Sequence, residues 1–192
     1  MLGLNLVLCA GCMRLLRWKA ITRTWATWAT AVFFVALWCP VGAAQLPVLA
    51  YIRGISSDLS ITLVVMACLA LCHRLAGTSA MAGRERGAVL VGVAAAALFL
   101  YPLALGWGDW DAYRPGWGSP GMWATLLLVS LLCWLKGLRL LPALVALALL
   151  AWTAGIMESG NLWDYLIDPW LVIWALVFVF LKCARLLFKA AR

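Results

Sequence analysis

Charge is scarce in this chain. Only 11% of its 192 residues are Asp, Glu, Lys or Arg, against about 25% in soluble domains. Hydrophobic residues make up 67% and the mean hydropathy is +1.02. On composition a water-soluble fold is excluded. The length also leaves no room for a separate soluble domain beside a membrane bundle, because such domains commonly take on the order of 100 residues.

Histidine is scarcer still. His73 is the one histidine, whereas a histidine-dependent phosphatase, a diiron desaturase or a zinc protease needs several at fixed spacing. It stands beside Arg74 at the end of an apolar run, where a cation complements a helix C-terminus. Ser79 has no evident base partner, which speaks against a membrane serine protease. The middles of the apolar runs hold no Asp, Glu, Lys, Arg or His, with Gln45 and Thr62 the more polar exceptions. Ion-coupled carriers keep a titratable group there, so that class is disfavoured, although backbone carbonyls freed near Pro40 and Pro47 leave one route for a substrate. The seven cysteines all fall outside the segments read as extracytoplasmic, so no disulfide framework is implied. Cys9-x-x-Cys12 lacks the strand and helix of a redox motif, and Cys68 and Cys72, one helical turn apart, read as small packing residues.

What the chain does have is long apolar runs. The fold class they predict is an all-α integral membrane protein, a six-transmembrane-helix bundle with both termini cytoplasmic. Its spans run over about 25–47, 59–76, 88–105, 121–135, 140–156 and 169–188, the membrane domain as a whole over 25–188. Residues 1–24 form a basic cytoplasmic segment and 189–192 a basic tail. Within the former, 1–13 reads as a loose apolar extension without a basic start; Cys9 fits poorly in a lipoprotein cleavage site, and one reading begins translation at Met13.

Orientation follows from the placement of Lys and Arg. All but Arg53 and Arg114 lie in the four segments read as cytoplasmic, and of the acids only Glu85 joins them. A net charge of +8 is thereby a sign of topology rather than of nucleic-acid binding. Local signals agree. Ser57 or Asp58, Ser119-Pro120 and Asp168-Pro169 are helix starts, and Asn161 with Asp164 is expected to cap a short interfacial helix over 162–167. Tyr51, Tyr101, Tyr113, Tyr165, Trp107, Trp110, Trp117, Trp163 and Trp170 form an outer aromatic belt.

Candidate function is thereby confined to the outer face. The residues singled out for binding are Arg53, Asp109, Trp110, Asp111, Tyr113, Arg114, Glu158, Trp163 and Asp164. In one reading the two arginines pair with neighbouring acids and staple the outer loops together. In the other, Asp109-Trp110-Asp111 holds a divalent cation through oxygen ligands while Arg53 or Arg114 grips a lipid-linked phosphate. Trp110-Asp111…Pro115…Trp117 also echoes Trp163-Asp164…Pro169-Trp170. No catalytic residue, resident metal or cofactor is assigned.

The expected function is non-enzymatic: a bacterial inner-membrane accessory or scaffold subunit. Its partners would be membrane lipids and another integral membrane protein or a lipid-linked envelope precursor, docked on Trp-rich outer loops. The rival is a metal-assisted transferase at the outer leaflet, or a lipid or small-molecule transporter. Alkaline phosphatase joined after Gly160 should be active, and joined at the C-terminus inactive; the reverse result would overturn the orientation.

Overall fold

The computed structural model describes residues 1–19, 21–78 and 81–190. Ser79 and the end of the basic tail, Arg192, lie outside the described residues. The chain is mostly helical and divides into two compact units, one of residues 1–59 and 63–81, the other of residues 60–62 and 82–192.

The first unit departs from expectation at its beginning. Residues 2–18 are not a loose extension but helix α1 (Leu2–Trp18), packed on α2 (Arg23–Ala36). Cys9, Ala10 and Met13 of α1 form a core with Ala26, Ala67 and Leu71. Asn5 is fully buried and satisfied: its Nδ2 donates to the carbonyl of Phe34 at 3.1 Å and its Oδ1 accepts from Cys9 Sγ at 3.2 Å. An apolar helix can bury such an amide only with its hydrogen bonds made.

The expected first span, 25–47, is also broken. α2 stops at Ala36, and a two-residue antiparallel ribbon follows, β1 (Pro40–Val41) with β2 (Leu46–Pro47), registering Pro40 with Pro47 and Val41 with Leu46. Pro40 and Pro47 lack the N–H groups that would carry a helix through. Helix α3 (Val48–Ser56) and α4 (Ile61–Ala76) come next. At the end of α4, His73 Nδ1 donates to the carbonyl of Thr78 at 2.6 Å.

The second unit is built on two long helices, α5 (Gly83–Ala104) and α9 (Pro169–Ala190), packed along each other. Gly83–Ala104 and Pro169–Lys189 are long and apolar enough to cross a membrane, with mean hydropathies of 2.1 and 2.3; 22 helical residues span about 33 Å, the thickness of the hydrocarbon core. Shorter apolar helices complete the unit: α6 (Pro120–Leu135) and α7 (Leu140–Thr153), then the five-residue α8 (Leu162–Leu166). Ser119 Oγ caps α6 by accepting from Met122 N at 3.2 Å. Asp168 Oδ1 caps α9 through Leu171 N at 2.9 Å, while its Oδ2 accepts from the amide and hydroxyl of Ser60 at 3.0 and 2.5 Å.

A charged pair at the start of α5 holds the α6–α7 turn. α6 ends in a left-handed Gly137 (φ +70°), the usual helix terminator. Arg84 Nη2 donates to the exposed carbonyl of Lys136 at 2.7 Å, and Glu85 accepts from the amides of Arg139 and Leu140 at 2.9 and 3.0 Å. The cation thus meets the negative end of α6 and the carboxylate the positive end of α7. Glu85→Ala should cost about 1 kcal/mol, as lost helix caps do, and lower the unfolding midpoint by about 2–4 °C. Thermal unfolding in detergent checks this, and an unchanged midpoint would show the clamp to be inert.

Candidate functional site

The candidate site is assembled from the two segments that join α5 to α6 and α7 to α8. Both begin by ending a helix in the same way. After α5, Gly106 (φ +92°) lets its own amide reach the carbonyl of Leu103, and that of Trp107 the carbonyl of Pro102. After α7, Gly155 (φ +61°) does the same, with Gly155 N bonded to Trp152 O and Ile156 N to Ala151 O. This paired closure satisfies the last helical carbonyls and turns the chain sharply.

The first segment then folds on local signals. Asp111 Oδ1 accepts from the amide of Tyr113 at 2.9 Å, an aspartate turn. A single 3₁₀ turn, Arg114–Trp117, leads through Gly118 to Ser119 and α6. In the second segment Asn161 caps α8, its Oδ1 accepting from Trp163 N at 3.0 Å. Asp164 does not reach back to complete a capping box. Ser159 Oγ instead accepts from Asn161 N at 3.0 Å.

Asp164 is occupied across the two segments. Its Oδ2 accepts from the Tyr113 hydroxyl at 2.6 Å and from Ser159 Oγ at 2.5 Å. Two more bonds run alongside: Asn161 Nδ2 donates to the carbonyl of Tyr113 and Trp163 Nε1 to that of Ala112, both at 3.0 Å. Gly116 is buried here because nothing larger fits; a Cβ would stand 2.7 Å from Asn161 Cγ and from Trp163 Cδ1. Tyr165, fully buried, ties the turn before α8, accepting from Met157 N and donating to the carbonyl of Ser159, each at 3.1 Å. Trp152 Nε1 holds the carbonyl of Gly160 at 2.7 Å.

The structure therefore joins Tyr113, Trp163 and Asp164 into one knot, with Trp110 beside it on the ring of Phe99, 5.6 Å between centroids. It disperses the rest. Arg53 belongs to the first unit and closes a two-pronged ion pair with a neighbouring acid, Asp58, both bonds 2.9 Å. Asp109 and Arg114 are exposed and make no hydrogen bond or ion pair among the described residues, and Glu158 is exposed between α7 and α8. No three of His, Cys, Asp or Glu lie together as a metal-holding group among the described residues, so the aspartate triplet has no third ligand of those types there. The sequence echo is not a structural one: Asp111 shapes its own turn while Asp164 bonds across segments. Ser159 and Ala112 were not singled out from the sequence; their roles come from contacts across the two segments.

Beneath this cap lies an apolar cleft of about 810 Å³ between α5, α6 and α7. Its walls include Val93, Ala96, Phe99, Leu126 and Val145, and Trp110 and Trp163 of the cap overhang it. The size falls in the range of small-molecule sites, roughly 300–1,000 Å³. No protein-family model matches the chain, and no curated protein or solved structure does either.

Burial, and then the bond to Asp164 and its charge, push the Tyr113 hydroxyl from its ordinary 10 up to about 12, with Ser159 pulling the other way. A proton held more tightly in the folded state means that the stabilisation is complete below pH 10 and lost as pH rises towards 12. Ultraviolet titration should show a tyrosinate step near pH 12 that Tyr113→Phe removes; if that substitution instead removes absorbance that develops near pH 10, Tyr113 does not hold its proton in this knot.

Proposed function

We propose that the chain is a multi-pass inner-membrane protein of bacterial type, with six spans and both termini in the cytoplasm. Its role is that of a non-catalytic accessory or scaffold subunit, and its outer cap with the cleft beneath receives the lipid tail of a lipid-linked envelope precursor.

The observation that carries this reading is the apolar cleft closed on one side by a cap in which Tyr113, Ser159, Asn161 and Asp164 are engaged with one another. Such a cap is a rigid platform, not a set of reactive side chains. What it offers outward is aromatic surface, Trp107 (76% exposed) and Trp117 (63%), and the ionically unpaired Arg114, suited to a phosphate. The outward faces of α6 and α9 support the membrane setting. Leu127, Leu128, Leu131, Leu135, Ile173, Val177 and Phe180 are exposed, an apolar expanse that soluble monomers rarely show.

A second reading, docking of a partner membrane protein, is favoured by the same exposed tryptophans, which combine large apolar area with a donor group. The metal-assisted transferase has less to draw on, since Asp111 is engaged in its own turn and Asp109 stands apart from the knot.

Extraction of the full-length protein from native membranes in mild detergent, with analysis of bound lipids and proteins, tests the proposal. A lipid-linked phosphate should accompany the protein and fall at least fivefold in Ala96→Phe, which fills the cleft. A co-purifying membrane protein lost on Trp107→Ala and Trp117→Ala would favour the second reading, and recovery of neither would remove both.

A further inference from the structure

Four cations converge where α5 begins and α9 ends. Arg86, from the first turn of α5, and Lys182, Arg185 and Lys189, from the last turns of α9, line one pocket of about 640 Å³. The three α9 residues stand at i, i+3 and i+7, the spacing of one helical face. The remaining walls are apolar: Phe178, Leu181, Leu186 and Phe188. No acid lines the pocket, and none of the four cations forms an ion pair among the described residues.

The neighbouring charges are used elsewhere. Glu85, beside Arg86 in sequence, bonds the amides of Arg139 and Leu140, and Arg84 bonds the carbonyl of Lys136. Three consecutive residues thus divide their work: 84 and 85 hold a turn of the same unit, while 86 faces α9. At the next position Gly87 is buried, and a Cβ there would stand in ordinary contact with Phe178 Cζ at 3.7 Å, which places α9 against this part of α5. Like charges gathered this closely repel, and an anion between them relieves that repulsion.

We propose that this pocket is a binding site for an anionic phospholipid of the cytoplasmic leaflet. The headgroup phosphate is held by Arg86, Lys182, Arg185 and Lys189, and the start of an acyl chain lies along Phe178 and Leu181. The pairing of cations with an apolar wall is what selects a lipid over a free anion: a soluble phosphate gains nothing from the phenylalanines, and a neutral lipid nothing from the cations. The site stands apart from the cap over the cleft and rests on the membrane reading of α5 and α9, with the leaflet following from the proposed orientation.

The test uses full-length protein in dodecyl maltoside, with native mass spectrometry after titration with cardiolipin, phosphatidylglycerol, phosphatidylcholine or inorganic phosphate. Cardiolipin and phosphatidylglycerol should stay bound, while phosphatidylcholine and phosphate should not. Each cation removed should weaken binding about fivefold, so that Lys182→Gln with Arg185→Gln loses more than tenfold. Lys182→Arg with Arg185→Lys keeps the charge and should keep the lipid, and Arg14→Gln with Arg17→Gln, in the other unit, should change nothing. Should the double glutamine variant fail to fold, Arg86→Gln alone carries the test, with a fivefold loss expected. Binding unchanged by these substitutions, lost equally in the Arg14 and Arg17 variant, or matched by inorganic phosphate would overturn the proposal. Release of the protein from membranes by alkaline carbonate would instead refute the membrane reading on which it rests.

Discussion

A carboxylate drawn partly out of water needs donors around it, and the architecture of the segments α5–α6 and α7–α8 follows from how Asp164 meets that demand. Its donors come from both segments, Tyr113 from one and Ser159 from the other. Once those bonds form, the backbone beside them is drawn close enough for Asn161 to reach the carbonyl of Tyr113 and Trp163 that of Ala112. Gly116 is the concession that closeness requires. Among the described residues no buried side-chain nitrogen or oxygen lacks a partner, as burial away from water demands.

That knot gives the cleft its roof. α5, α6 and α7 leave apolar space between them, and Trp110 and Trp163 overhang it because the segments that carry them are pinned together. The proposed function depends on this combination of an apolar space, a self-satisfied polar lid and outward tryptophans. At the opposite ends of α5 and α9 the logic is reversed. There the acid and one arginine are consumed by a helix turn, and the other cations are left facing one another with only apolar neighbours. At one end the carboxylate of Asp164 is met by donors, and at the other four cations line a pocket without an acid.

Much of this was legible in advance. Helix starts at Ser119, Asn161 and Asp168 followed from residue type and position, since a side-chain oxygen beside free amides is a local arrangement. The two long apolar helices followed from run length. The candidate site was only half legible. Tyr113, Trp163 and Asp164 were marked among the outer residues, but as binding groups, and the structure shows them engaged with one another. Arg53 was expected to pair with a neighbouring acid and closes a pair with Asp58, an arrangement five residues apart that needs little chain to be ordered. The loose N-terminal extension was an error: α1 is only modestly amphipathic, and its helix is fixed by packing on α2, which no local pattern announces.

The sequence by itself determined local properties: an apolar, mostly helical chain, and the helix starts at Ser119, Asn161 and Asp168. These depend on neighbours within one or two turns. The tertiary structure alone decided that Asp168 meets Ser60 across 108 residues, that Glu85 caps a helix 54 residues on, and that Asp164 faces Tyr113. Such pairings are set by the packing of whole helices, whose apolar faces are nearly interchangeable in sequence, so the partner of a polar group emerges only once the chain has folded.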